Sequence, residues 1–399
     1  MEFKTLQKSL AAHASASYKN DSPLSITVIN AFMEVPRHQF VNKFRNFGDD
    51  TWYEFNEINS PQLLPGIYQD NPIVIWGTDE EFGSKKGQKQ ISTISQPSFV
   101  LRMLDLLDLK EGQSVFELGT ASGWNAALIS HIVGPTGKVV TVEIISELAE
   151  QAVQRFKRLD IKNVKVISGD GAAGDATSTF DRVMYTAGAF DFPAALFEQT
   201  KVGGLVIFIL KNKGGSDNLY VLKKHQDFFE STYSQSCGFV PVTGSTHFKE
   251  MEEKDLNEFL SAYKISAAPT DERTFWWGSG YKSNFVRQTA QMRGFLSLSE
   301  NFQAFQLTDP TDCKDAFGWY DAASNSLALA TAGKLVSYGN AQAREILLQK
   351  LKSWIDLGMP SLDNMRLRIY RSDRKVESLP ESWTSRRPQS TFVWSLPSR

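Results

Sequence analysis

Cysteine is nearly absent: of 399 residues only Cys237 and Cys313 carry a thiol, and they lie far apart. That excludes a disulfide framework and a four-cysteine zinc site, so no metal is expected, and it fits a reducing cytoplasm. Long apolar runs are missing too. Nothing approaches the ~18 apolar residues of a membrane-spanning helix. The opening MEFKTLQKSLAAHASASYKN holds no apolar run long enough for a signal peptide. Neither sign of charge is in surplus. The formal net charge is −2, so the whole-molecule field does not favour nucleic acid. Neither a membrane nor a nucleic-acid partner is expected; the oligomeric state is left open. Against these absences stands a 41% hydrophobic composition, enough for full cores. At this length, two domains are the natural expectation.

The chain is organised around residues 115–143, VFELGTASGWNAALISHIVGPTGKVVTVE. A short apolar run with Glu117 inside it leads into a turn bearing Gly119 and Gly123. Glycine there permits a sharp turn and close backbone approach to a ligand. Residues 124–133 repeat apolar side chains at helical spacing, and Gly134-Pro135-Thr136-Gly137 ends them. A second β-rich run, 138–142, closes at Glu143. A carboxylate about 20 residues after a glycine turn suits a ribose diol, because it accepts both hydroxyl hydrogen bonds. The two glycines stand at i and i+4, not as G-x-G-x-x-G, which weakens a dinucleotide reading. Glu117 would repel a pyrophosphate but tolerate a sulfonium and an ammonium, as in S-adenosylmethionine. From this stretch alone a dinucleotide site, an S-adenosylmethionine site and an ordinary βαβ unit all stand open.

Upstream, residues 1–47 read as helical, with Leu6, Leu10 and Ala11 on one apolar face and Ile26, Val28, Ile29 and Phe32 on another. Pro36 stops the second helix at Glu34 or Val35. His38, beside Arg37, reads as structural or surface rather than catalytic. Residues 48–90 look irregular and aromatic, and the charged, glycine-bearing piece 78–89 reads as a mobile surface loop or a lid. In ISTISQP (91–97), Ser92, Thr93 and Ser95 precede a proline and a helix over 98–109. Taken locally, Ser95 or Ser98 is a helix cap.

Downstream, strands at 164–168, 180–185 and 205–210 alternate with helices at 147–159 and 193–199. Residues 218–224 and 228–233 read as an antiparallel pair at the sheet edge. The alternation predicts a doubly wound α/β sheet with its ligand at the carboxyl ends of the strands. Glu117, Gly119, Glu143 and Asp170 all fall at such ends, and Asp170-Gly171 offers an adenine amino group an acceptor.

Several pieces now match one family in order: VPRHQFV (35–41), YQDNP (68–72), TISQP (93–97), VFELGTASGWNAALIS (115–130), VTVEIISELAEQA (140–152), GDGAAG (169–174), FDRVMYTAGA (180–189), KVGGLVIFI (201–209) and CGFVPVTG (237–244). Over residues 20–245 the chain resembles protein-L-isoaspartate O-methyltransferases. The resemblance implies a Rossmann-like S-adenosylmethionine-dependent methyltransferase fold with an N-terminal helical segment and a C-terminal α+β extension. It implies Ser95 as the hydroxyl that holds the substrate carboxylate, assisted by Thr93 and Ser92. It implies cofactor binding by Glu117, Gly119, Thr120, Ala121, Gly123, Trp124, Glu143, Ile144, Asp170 and Gly171. Ala121 replaces the family's middle glycine, which is tolerable at negative φ.

The organisation expected is residues 1–90 as a helical and substrate-loop region, 91–245 as the methyltransferase core and 246–399 as a small α+β domain. In that domain we expect a charged helix over 249–263, a strand at 326–332, a helix over 341–358 and final strands at 367–370 and 391–396. The last 34 residues carry eight basic and three acidic side chains, a net +5 that suits an acidic peptide or a solvated face. The arrangement is similar to isoaspartyl-methyltransferase-like enzymes that tailor ribosomally made lanthipeptides and graspetides. It implies esterification of an aspartate or isoaspartate carboxylate in such a peptide, leading to a succinimide. General isoaspartate repair is the alternative, and a non-catalytic cofactor-binding module is a third class.

Overall fold

A computed structural model describes residues 3–17, 23–47, 49, 51–77, 91–213, 217–248, 253–275, 283–307, 316–331, 333–376 and 381–397. The loop expected at 78–89 and the pair Trp276-Trp277 lie outside the described residues. Among the described residues no helix is long and apolar enough to cross a membrane.

The largest sheet has a parallel half of five strands: Val164–Ser168, Lys138–Glu143, Ser114–Leu118, Phe180–Tyr185 and Thr200–Lys211, in that spatial order. Val164–Ser168 is the outer strand and has no fully buried residue, whereas the side chains of the four inner strands alternate between two buried faces. Val115, Val139, Met184 and Ile207 face a core shared with the N-terminal helices Phe3–Ser17 and Ile26–Glu34 and with helices Pro97–Leu107 and Trp124–Val133. Phe116, Val140, Val183, Val206 and Phe208 face the other core, which reaches Phe302, Phe317, Leu347 and Trp354 of the C-terminal extension. The inner strands are therefore apolar on both sides, which is why they read as unbroken apolar runs.

The antiparallel half corrects one expectation. Asp217–Lys224 and Phe228–Cys237 do pair antiparallel, but they are not the edge. Arg366–Arg371 joins Phe228–Cys237, with Phe229 opposite Ile369, and Ser390–Ser395 and Ser382–Arg386 follow, making ten strands. An edge strand presents unpaired N–H and C=O groups, and the returning chain covers them. One sheet therefore crosses residue 245. The rest of the extension forms a six-stranded sheet from strands between Lys254 and Tyr338, packed with helices Ser283–Leu296 and Gln342–Asp356. The charged helix is shorter than expected, Leu256–Ala262, because Asp255 caps it by accepting from the Glu258 amide at 2.9 Å.

The basic end is used within the fold. Arg368 donates to Glu230 at 2.8 Å, Arg371 to Glu198 at 2.7 Å, and the Arg387 guanidinium to the Phe190 carbonyl. Two further corrections concern the N-terminal region. Ile26, placed on an apolar face, is 69% exposed. The stretch 48–90, expected to be irregular, contains the strands Tyr53–Glu54 and Ile73–Gly77, which form a four-stranded sheet with Ile91–Ile94 and with Lys43–Asn46, a strand inside the segment expected to be helical. Thr93 pairs with Val74 there, so two of the candidate hydroxyls, on Ser92 and Thr93, belong to a strand.

Candidate active site

A cavity opens at the carboxyl ends of the parallel strands. Ser92, Thr93, Ser95, Gly119, Thr120, Ala121, Trp124, Glu143, Ile144, Asp170 and Gly171 all line it. Glu117 and Gly123 do not. The structure thus gathers eleven of the expected residues at one place and sets two behind it.

The glycine turn shows why. Gly119 has φ +99°, and a Cβ there would come within 2.3 Å of Thr186 Oγ1. Ala121 has φ +47°, against the expectation of a negative value. That conformation disfavours an L side chain, but the Ala121 amide donates to Glu143 Oε2 at 2.7 Å. Gly123 serves packing: a Cβ there would meet the Phe156 ring at 2.7 Å. Gly169, with φ +154° on the cavity wall, has nothing within 4 Å of its missing Cβ, leaving room for a ligand.

Glu143 is 6% exposed, and its second oxygen accepts from the Ile145 amide at 3.0 Å. Burial raises its pKa, opposed by these backbone bonds. It keeps free lone pairs at the cavity, as a diol requires. Asp170 accepts from the amides of Ala172 at 2.9 Å and Ser245 at 2.7 Å. Burial works to raise its pKa, but those bonds outweigh it and hold the carboxyl below the usual range. Glu117 is fully buried behind the turn, taking hydrogen bonds from Asn125 Nδ2 at 2.6 Å and from the Thr141 hydroxyl. Burial pushes it up to about 7, against those two bonds. Thr141 also pairs with Thr120 Oγ1 at 2.7 Å, so a hydrogen-bonded chain joins Glu117 to the cavity wall.

Ser95 is not the helix cap. The Ser98 amide donates to Asp70 Oδ1 at 2.8 Å, and Gln96 Nε2 reaches Asp70 Oδ2 at 2.9 Å. A residue from YQDNP thus caps the helix and leaves the Ser95 hydroxyl at the cavity. Arg37, fully buried, supports this loop. Its guanidinium donates to the carbonyls of Ile67 (2.5 Å), Gln69 (3.3 Å), Asn71 (3.0 Å), Ile94 (3.3 Å) and Ser95 (3.1 Å). His38, next to it, is buried with Nδ1 2.7 Å from the Tyr68 hydroxyl, a structural place.

Sequence reasoning missed one wall. Residues 239–244 and Thr246 close the cavity from a segment after the Phe228–Cys237 strand. Gly244 passes so close to Asp170 that a Cβ would lie 2.5 Å from Oδ1. The motif CGFVPVTG was the available signal, but nothing local to it indicates a ligand.

A family model for protein-L-isoaspartate(D-aspartate) O-methyltransferase matches residues 16–247. Among similar proteins, protein-L-isoaspartate O-methyltransferase 1 of Archaeoglobus fulgidus is 35% identical over 237 residues, 59% of this chain and 94% of that protein. A protein-L-isoaspartate O-methyltransferase of Methanococcus maripaludis is 36% identical over 223 residues, 56% of this chain and 90% of that protein. A solved structure titled protein-L-isoaspartate O-methyltransferase shares the fold with TM-score 0.53 and 23% identity, over 91% of this chain and 96% of its own, so the likeness takes in the extension. The chain belongs to the protein-L-isoaspartate(D-aspartate) O-methyltransferase family, enzymes that use S-adenosylmethionine to methylate carboxylates.

Proposed function

We propose that the protein methylates the free α-carboxylate of L-isoaspartyl residues in proteins, as a general repair enzyme. The observation that carries this is the sharing of one cavity by the hydroxyls of Ser92, Thr93 and Ser95 and by Glu143 and Asp170. In this reading Glu143 holds the ribose diol of S-adenosylmethionine. Gly119, Thr120, Ala121, Trp124, Ile144 and Gly171 shape the wall, and Asp170 orders the adenine end. Glu117 acts from behind through Asn125 and Thr141, and Gly123 seats the helix. When bound, S-adenosylmethionine supplies an electrophilic methyl group on its sulfonium.

The acceptor carboxylate needs no general base, since with an ordinary α-carboxyl pKa of about 3.3–3.7 it is ionised near neutrality. Ser95 donates one hydrogen bond to it and so orients it without removing its charge, aided by Thr93 and Ser92. Positioning of this kind supplies most of the acceleration. The product methyl ester has a better leaving group than the carboxylate. The adjoining backbone nitrogen then attacks the ester carbonyl, loses its proton and expels methanol, closing a succinimide without the enzyme.

Tailoring of one ribosomal peptide was expected from the extension, the loop at 78–89 and the basic end. The loop lies outside the described residues, several of the basic groups are paired internally, and the fold likeness includes the extension. None of the three now favours a dedicated substrate over repair. The test is methyl transfer to unrelated isoaspartyl peptides and to their aspartyl counterparts. Turnover across unrelated isoaspartyl sequences supports repair; turnover of one modified peptide alone refutes it. Glu143→Ala should weaken cofactor binding by roughly 1–3 kcal/mol, the worth of a charge-assisted hydrogen bond. Unchanged affinity in calorimetry rejects that assignment.

A further inference from the structure

A second cavity of about 630 Å³ lies against the first, and Thr93, Ser95, Phe239 and Val240 line both. The wall between them therefore carries the hydroxyl assigned to the acceptor. The second cavity is largely aromatic. Phe47, Phe99 and Phe239 line it with Pro72, and the rings of Phe99 and Phe239 stand 5.6 Å apart. Phe47, on its lining, is 47% exposed, a large apolar surface left uncovered.

The floor is an ion pair. Lys211 Nζ lies 2.6 Å from Asp217 Oδ2, with side-chain exposures of 16% and 4%. The pair also grips one residue of the wall. Lys211 donates to the Phe239 carbonyl at 3.0 Å, and the Phe239 amide donates to Asp217 Oδ2 at 3.1 Å. Both backbone groups of Phe239 are thereby fixed, and the two charges neutralise each other. Among the described residues that line the cavity the only charges are this pair, so a charged side chain entering here would be desolvated by the rings without a counter-charge of its own. An apolar one would cover Phe47 and gain from burial.

We infer that this second cavity is the subsite for the residue flanking the acceptor, that it selects a bulky apolar side chain, and that Lys211 and Asp217 are positioning residues for its Phe239 wall. The inference rests on the proposed function and adds a graded preference to it; other neighbours are methylated more slowly.

The test uses the full-length protein and isoaspartyl peptides carrying Phe, Gly or Glu on either side of the acceptor. At one of the two positions, kcat/KM for Phe should exceed that for Gly or Glu by about 10- to 100-fold. Phe47→Ala should bring the Phe peptide down towards the Gly peptide, while calorimetry shows cofactor affinity within twofold of wild type. Asp217→Asn should raise KM for the Phe peptide more than for the Gly peptide, whereas a purely structural loss would shift both equally. Equal turnover of all flanks, or a preference that survives Phe47→Ala, overturns the subsite alone. No turnover of any isoaspartyl peptide overturns the proposed function and the subsite together.

Discussion

Arg37 gives the sharpest test of how the substrate loop is held. The guanidinium lies fully buried with its Cζ 5.5 Å from the centre of the Trp124 ring, and donates to five backbone carbonyls from two chain segments, 67–71 and 94–95. Burial lowers its pKa to about 9, against the pull of Tyr68 and Asp70, so it stays charged at neutral pH. Lysine in its place keeps the charge but concentrates three donors at one point, so at least two of the five carbonyls lose their partner. A stranded buried polar group costs roughly 1–3 kcal/mol, so Arg37→Lys should destabilise by about 2–6 kcal/mol. Urea unfolding measures this. Because two of the acceptors are the carbonyls of Ile94 and Ser95, the folded variant should also lose turnover at least tenfold. Cofactor affinity, set mainly at Glu143 and the glycine turn, should change far less. A loss of stability below about 1 kcal/mol would mean that the carbonyls find other partners. Equal losses of cofactor affinity and turnover would mean that Arg37 supports the whole cavity and not the Ser95 loop. Either result refutes the reasoning.

Three further outcomes follow from single contacts. Ser95→Ala should leave melting temperature and cofactor affinity unchanged and abolish most methyl transfer, since only the transition-state geometry suffers; a stability loss would restore the capping role. Asp70→Ala, by contrast, removes the cap and should cost about 1 kcal/mol or more in urea unfolding. Glu117, raised to about 7 in the folded protein from an ordinary 4.5, binds more protons folded than unfolded across that window. Its contribution to stability should be fully present below about pH 4.5 and lost as pH rises through about 7. Glu117→Gln should flatten that slope in unfolding curves taken at several pH values; an unchanged slope counts against a buried, protonatable Glu117.

What the sequence determined by itself was local or followed from a general rule of topology. The helix Trp124–Val133 and the strands Lys138–Glu143, Val164–Ser168 and Phe180–Tyr185 lie where spacing and turn residues put them, because those patterns act within a few residues. Gly119, Glu143 and Asp170 were legible as one cluster because strand ends converge in any doubly wound sheet. The tertiary structure decided the rest, through partners remote in the chain. It set Ala121 at positive φ with its amide on Glu143, and turned Glu117 away from the cavity towards Thr141. It gave the cap to Asp70 in place of Ser95, hung the substrate loop on Arg37, and closed the cavity with residues 239–244 and Thr246. It also returned Arg366–Arg371 to cover a strand that looked like an edge. A hydrogen bond depends on a few tenths of an ångström between atoms that the chain brings together from 22 or more residues away. Periodicity carries no record of that distance; only the packed fold sets it.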